Sequence, residues 1–163
     1  MAKKKKNLEI ERKYLLKRLP TQIKWDLIIN IKQYYLPDKT RIRESFTNGE
    51  YTYVKCNKTL LSKNPRVYDE VEILLAKDKF IALLKKAKRG LMKTRFIKKV
   101  QGKLKWEVDV YEDLDLVVAE LEIPSRKFKI KIPRFISDVL IMDVTKFSEF
   151  TNRSLSEKIR RAK

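Results

Sequence analysis

The chain has 163 residues, with 40 Lys and Arg against 21 Asp and Glu, and no histidine. A hydrophobic content of 43% is enough to fold one domain, and no apolar run approaches the roughly 18 residues of a membrane helix. The absent histidine excludes Ser-His and Cys-His nucleophilic machinery and His-ligated zinc, and only three glycines leave no P-loop or dinucleotide fingerprint.

A single cysteine, Cys56, excludes an internal disulfide framework and fits a reducing compartment. The N-terminus is basic but lacks the apolar stretch of a signal peptide, so the cytoplasm is the expected location. The formal net charge of +19 has two readings. One is an anionic partner, a phosphate compound, nucleic acid or membrane surface; the other is a broad preference for lysine, spread over solvated faces at Lys85, Lys86, Lys88, Lys98, Lys99 and Lys103. Residues 1–7, with Lys3 to Lys6, read as a disordered basic tail, and residues 8–163 as one domain.

In chain order, residues 8–16 begin as an alternating strand. Pro20 and Thr21 open a stretch with Ile23, Leu27, Ile28 and Ile31 at helical spacing, which predicts a helix. Strands are expected over 33–36, 40–45, 51–56 and 67–75, with Thr47-Asn48-Gly49-Glu50 as a hairpin turn. Asp78 is the expected N-cap of a helix carrying Phe80, Leu83, Leu84 and Ala87 and ended by Gly90. Further strands follow over 92–100, 104–111 and 116–123, then a short strand at Lys127–Ile132 with a basic side; Pro133 opens an irregular segment and Ser154 caps a terminal helix. One α+β domain with about eight mostly antiparallel strands fits this order, and closing the sheet into a barrel removes its edges and creates an interior.

Along these strands, charged residues recur two apart: Glu9 and Glu11, Arg41 and Arg43, Glu70 and Glu72, Lys93 and Arg95, Glu107 and Asp109, Glu120 and Glu122. Residues i and i+2 share one face of a strand, so each pair places two ionic groups, usually of one sign, on one side. Six such strands predict an ionic face curled into a cavity, with acidic groups for a hard divalent cation such as Mg²⁺ or Mn²⁺ and basic groups for a polyanion. The cationic set is Lys13, Arg41, Arg43, Lys55, Lys93 and Arg95. Taken singly, each pair is equally well a solvated strand face; the residues alone give a cation site and a polyanion site, and do not specify a triphosphate.

The order of these motifs resembles the CYTH domain, or triphosphate tunnel metalloenzyme, family. Its opening Glu-x-Glu-x-Lys stands here as Glu9-Ile10-Glu11-Arg12-Lys13. Gln33-Tyr34-Tyr35-Leu36, Arg41-Ile42-Arg43, Thr52-Tyr53-Val54-Lys55, Glu70-Val71-Glu72, Lys93-Thr94-Arg95, Trp106-Glu107-Val108-Asp109 and Ala119-Glu120-Leu121-Glu122 follow in order, with Val144-Thr145 and Asn152 at the close. Three departures stand out: Tyr68 occupies a commonly basic position, with Arg66 nearby; Asp143 replaces a common Glu; and the loop after Thr145 is atypical, leaving Lys146 as a candidate only.

The resemblance implies an eight-stranded antiparallel tunnel and a metal-dependent triphosphatase, a phosphoric anhydride hydrolase. By motif, Glu9, Glu11, Glu120 and Glu122 would hold Mg²⁺ or Mn²⁺, and Lys13, Arg41, Arg43, Lys55, Lys93 and Arg95 would grip the phosphate chain. Glu9, Glu11, Glu70, Glu72 and Asp109, with Glu107 beside them, are the implied catalytic carboxylates, and the implied reaction is in-line attack of a metal-activated water on a terminal phosphoryl group. The expected substrate is inorganic tripolyphosphate or a small organic triphosphate. Alternatives are adenylyl cyclase, thiamine-, nucleoside- or RNA-triphosphatase on the same fold, or a non-catalytic polyphosphate or RNA binder. No membrane partner is expected, and monomer and homodimer both stay open.

Overall fold

In the computed structural model, which describes residues 7–63 and 65–162, nine strands form one antiparallel sheet. They are β1 (Asn7–Leu16), β2 (Leu27–Tyr35), β3 (Arg41–Thr47), β4 (Glu50–Lys63), β5 (Arg66–Leu74), β6 (Arg89–Gln101), β7 (Leu104–Tyr111), β8 (Leu116–Glu122) and β9 (Leu140–Asp143). The strand order is β5-β4-β3-β2-β6-β7-β8-β1, and β1 closes back onto β5, so eight strands make a barrel and β9 is added alongside β1. Closure rests on a division of labour within β1: Asn7–Glu11 pair with β5, Glu11–Leu16 pair with β8, and Tyr14–Leu16 also meet β9. The helices are α1 (Lys77–Leu84), α2 (Arg134–Ser137) and α3 (Asn152–Ala162), and none of the described helices is long and apolar enough to cross a membrane.

The barrel reverses the usual placement of polar and apolar groups. Alternation on β1 sends Glu9, Glu11 and Lys13 inward and Ile10, Tyr14 and Leu16 outward, and the same parity holds round the wall. The largest apolar cluster therefore lies outside the barrel: Tyr14, Leu16, Trp106, Val108, Ala119 and Leu121 are covered by Ile136 and Val139, with Phe128, Ile130 and Trp25 packed against them. On another side α1 sets Phe80 against Leu36 and Ile42. At one end of the tunnel Leu91, Tyr111 and Val118, on the face that also carries Lys93, Asp109 and Glu120, are sealed by Leu155 and Ile159 of α3.

Several sequence expectations need correction. The helix expected from Ile23 to Ile31 is absent; Leu27 to Ile31 instead form the first half of β2, paired with β6 from Leu27↔Ile97 onward. Ile28, Ile29 and Ile31 are β-branched, and a buried strand and a helix share that apolar spacing. The strand expected at Lys127–Ile132 is irregular chain, because Phe128 and Ile130 are drawn onto the outer core and no neighbouring strand pairs with it. Asp78 lies inside the first turn of α1, whose N-cap is Ala76, and Thr151 in place of Ser154 caps α3, accepting the Ser154 N–H at 3.3 Å. The basic tail lies outside the described residues apart from Asn7, which opens β1.

The hairpin turn is as expected, with Asn48 (φ 51°) and Gly49 (φ 78°) both left-handed, the type I′ geometry that matches strand twist. Gly90 has a different task from ending a helix: it lies in β6 opposite Tyr34, and a Cβ there would sit 2.5 Å from Tyr34 Cδ1 and 2.8 Å from the Gln33 carbonyl oxygen. Replacing Gly90→Ala should therefore cost about 1–3 kcal/mol, the range for overpacking a filled site. Urea denaturation checks this, and an unchanged midpoint would show that the Tyr34 ring yields freely.

Candidate active site

The tunnel encloses a cavity of about 650 Å³ lined by ten cationic side chains and seven carboxylates, so it stays net positive with every ion pair made. Its ionic groups form three stations. At the first, Glu9, Glu11 and Glu70 converge on one ammonium, that of Lys58, at 3.1, 2.6 and 3.4 Å. The Tyr68 ring supports the ammonium from 4.2 Å. At the second, Arg41 faces Glu70 at 3.5 Å and Arg43 faces Glu72 at 3.0 Å. The third is the floor. Arg95 forks onto Asp109 at 2.7 and 2.8 Å, Lys93 reaches the same carboxylate at 2.6 Å, and Lys13 meets Glu120 at 3.0 Å.

Strand register explains these stations. Lys13 lies across from Glu120, Glu11 from Glu122, Glu107 from Glu120, and Arg95 from Asp109. Like charges placed directly opposite repel, and neighbouring cations offset this: Lys58 takes Glu11, while Arg95 takes Glu107 at 2.5 Å and reaches Glu120 at 3.5 Å. Lys13 is further pinned because its backbone N–H donates to Thr145 Oγ1 at 2.9 Å and its ammonium donates to the Phe150 carbonyl at 3.1 Å. Asn152 accepts the Tyr111 hydroxyl at 2.5 Å, tying α3 to the same end of the tunnel.

Electrostatics differ between stations. Burial opposes the Lys58 and Lys13 charges, yet Glu11 and Glu120 outweigh it and raise both pKa values. Glu70 would be raised by burial but is held at about 2 by Lys58 and Arg41. Glu9 is the surplus carboxylate. Burial, joined by the Glu70 and Glu11 charges, lifts it to about 7 despite Lys58. On the floor, Arg95 and Lys93 keep Asp109 ionised against burial, whereas burial and the Arg95 charge push Lys93 down to about 8. Burial also raises Cys56, to about 11, so it is an unreactive thiol. Three buried guanidinium N–H groups have no partner among the described residues: Arg41 Nε, Arg43 Nε and Arg66 Nη2.

Of the sequence-predicted site residues, Glu9, Glu11, Lys13, Arg41, Arg43, Glu70, Glu72, Lys93, Arg95, Glu107, Glu120 and Glu122 all line the cavity, and Asp109 lies fully buried behind Lys93 and Arg95. The structure gathers Glu70 with Glu9 and Glu11, while Glu120 is turned to Lys13 and Arg95. Lys55 is not in the cavity. On β4 it is Cys56, Lys58 and Leu60 that face inward, so Lys55 points out and pairs with Asp38 at 3.3 Å. Lys146 is exposed beside the Phe147 ring. Sequence reasoning missed Lys58, Arg66 and Arg153; the signal for Lys58 was its even spacing from Cys56 on one long strand.

The donor chemistry fits a hard cation. Glu9, Glu11 and Glu70 each place an oxygen ligand within 3.4 Å of the Lys58 ammonium. The carboxylate oxygens of Glu70 and Glu72 and the Cys56 sulfur also lie within 4.8 Å of one another, with Arg41 and Arg43 paired to the two carboxylates.

A closed antiparallel barrel with an ionic interior of this composition is the tunnel fold of the CYTH, or triphosphate tunnel metalloenzyme, proteins. Among solved structures, that of the inorganic triphosphatase NE1496 is similar at 25% identity and a TM-score of 0.55, over 91% of this chain and 93% of that one. The PH1819 protein of Pyrococcus horikoshii OT3 shares the fold at 18% identity and a TM-score of 0.56, over 94% and 89%. The PH1012 protein of the same organism does so at 21% and 0.55, over 72% and 79%. No family model matches the sequence, and no curated protein matches it.

Because the chain lacks histidine, few ordinary groups titrate near neutrality, and Glu9 becomes visible in stability. Its folded-state pKa of about 7 lies above the usual 4.5, so its contribution is complete below pH 4.5 and is lost as pH rises through about 7. Burial also raises Glu122, which acts in the same direction. Lys93, depressed from 10.5 to about 8, has the opposite sign and adds stability as pH rises between those values. The melting temperature of the metal-free protein should therefore fall between about pH 5 and 8 and recover between about pH 8 and 9, above which the raised Cys56 thiol opposes Lys93. Glu9→Gln should flatten the falling limb, and a wild-type limb that is already flat would mean Glu9 is fully compensated by Lys58.

Proposed function

We propose that the protein is a divalent-cation-dependent triphosphatase, acting on the terminal phosphoryl group of inorganic tripolyphosphate or a small organic triphosphate in the cytoplasm. The observation that carries this reading is the pairing of opposites within one tunnel. A carboxylate cluster with one charge too many lies in a cavity wall that carries ten cationic side chains against seven carboxylates. The similarity to the inorganic triphosphatase NE1496, whose length the chain nearly spans, supports it.

Glu9, Glu11 and Glu70, gathered around Lys58, would draw together on Mg²⁺ or Mn²⁺, with Glu72 beside Glu70 and Glu122 opposite Glu11 as further ligands. Glu120 would serve the cation only by giving up Lys13. When bound, such an ion supplies positive charge to phosphate oxygens and lowers the pKa of water. The remaining work belongs to the chain's own residues. Arg41, Arg43 and Arg66 line the cavity as guanidinium partners for phosphate oxygens, and Glu70 and Glu72 fix the planes of the first two. Lys13 and Lys93 add mobile point charges from the floor. Arg95 has its guanidinium nitrogens engaged by Asp109, Glu107 and Glu120, so it contributes field more than contact. Leu155 and Ile159 close one end against water.

Tyr35 and Tyr68 line the cavity with occupied faces, Tyr35 by Arg89 and Arg153 at 5.3 and 5.1 Å and Tyr68 by Lys58. The two guanidinium groups beside Tyr35 hinder nucleobase stacking there, which favours a small triphosphate over the cyclase reading.

Phosphate release from tripolyphosphate, ATP and pyrophosphate with Mg²⁺ or Mn²⁺ tests the assignment. Tripolyphosphate should be cleaved fastest. EDTA and Glu9→Ala/Glu11→Ala should abolish release, and Arg43→Ala should lower kcat/KM about 100-fold, as loss of one aimed donor does. No release from any of the three by folded protein with metal would sink the reading.

A further inference from the structure

The Lys58 ammonium occupies the point that Glu9, Glu11 and Glu70 share, within 3.4 Å of an oxygen of each. Two cations cannot occupy that point together: at contact distance their repulsion is several kcal/mol even at an effective dielectric near 20. A divalent ion bound by these carboxylates therefore has to displace Lys58. Arg41, paired with Glu70 at 3.5 Å, adds repulsion from the β3 side. The lysine stem has four rotatable carbons, so the ammonium can leave while the strand stays fixed. Within the tunnel it can leave only toward the cavity, whose wall carries ten cationic side chains against seven carboxylates. Without an anion there, a displaced Lys58 would join an already net positive wall.

We propose that Lys58 is an internal counter-ion that holds the place of the divalent cation in the free protein and yields it only by turning onto a phosphate oxygen, so that cation and phosphate chain load as a coupled pair. The inference rests on the metal-site reading given above. It makes Lys58 a positioning residue with a thermodynamic signature. The cation alone binds weakly because it must expel a favourable ammonium; the phosphate chain alone binds weakly because Lys58 is committed to the carboxylates. Each tightens the other by the same factor, as linkage requires.

Calorimetric titration of Mg²⁺ and Mn²⁺ into the full chain tests this, with and without methylenediphosphonate, whose P–C–P bridge resists hydrolysis. Metal complexed in solution by the diphosphonate is subtracted. Wild-type protein should bind the cation about tenfold or more tighter when the diphosphonate is present, within the usual range of coupling between sites. Lys58→Met should bind the cation about tenfold tighter than wild type with no phosphate, and the coupling should shrink toward unity. If Lys58→Met binds the cation no tighter than wild type, the counter-ion role is overturned and the metal site stands. If no form binds either cation under either condition, the metal reading falls and the counter-ion role with it. Should Lys58→Met fail to fold, the Nζ resonance of Lys58 in isotope-labelled wild type decides. It should move when Mg²⁺ and the diphosphonate are added together and stay put with Mg²⁺ alone; a resonance unmoved by both overturns the proposal.

Discussion

The tunnel depends on one buried carboxylate. Asp109 has no solvent exposure, yet two cations from β6, Lys93 and Arg95, converge on it. Stripping one partner from such a group leaves a buried charge uncompensated, at a cost of about 3–5 kcal/mol. Asp109 is thus the fixed point from which Arg95 extends to Glu107 and Glu120, and Glu120 in turn to Lys13 on β1. The barrel closes through β1, so its closure and its ionic floor are mechanically the same structure.

An interior of this kind requires stabilisation from elsewhere. Ion pairs inside a tunnel roughly break even against their own desolvation, and the apolar burial that drives folding is therefore moved to the outer wall. Trp106, Val108, Ala119 and Leu121 alternate with Glu107, Asp109, Glu120 and Glu122 on the same strands, one face sustaining the fold and the other the site. The irregular chain after β8 makes sense in this light, since Phe128, Ile130, Ile136 and Val139 form the cover that an outward-facing core needs.

This division also explains what the sequence revealed. Charged pairs spaced two apart survive in any register, so the strands bearing Glu9, Arg41, Glu70, Lys93 and Glu120, and the inward direction of those residues, were legible without coordinates. Purely apolar spacing was not. Ile23, Leu27, Ile28 and Ile31 read as a helix because a buried strand and a helix share that pattern, and only pairing with Leu91 to Ile97 decides between them. Lys55 was chosen over Lys58 because motif order fixes the strand but not its parity; the pairing Arg41↔Cys56 places Cys56, and with it Lys58, on the inner face. Lys127 to Ile132 alternated as a strand would, but its apolar residues had an outer core to cover and no strand to pair with.

What remains is a site whose imbalances are complementary. Three carboxylates share one ammonium, which leaves Glu9 the least favourably ionised of them. Around them the cavity wall carries ten cationic side chains against seven carboxylates. A cation alone would settle the first and aggravate the positive surplus; an anion alone would settle the second and leave the carboxylates crowded. Only the two together neutralise both, and a phosphate chain carrying a divalent ion has that composition. The tunnel is selective for the pair because both defects are built into one rigid ionic lattice, in which correcting either one changes the cost of the other.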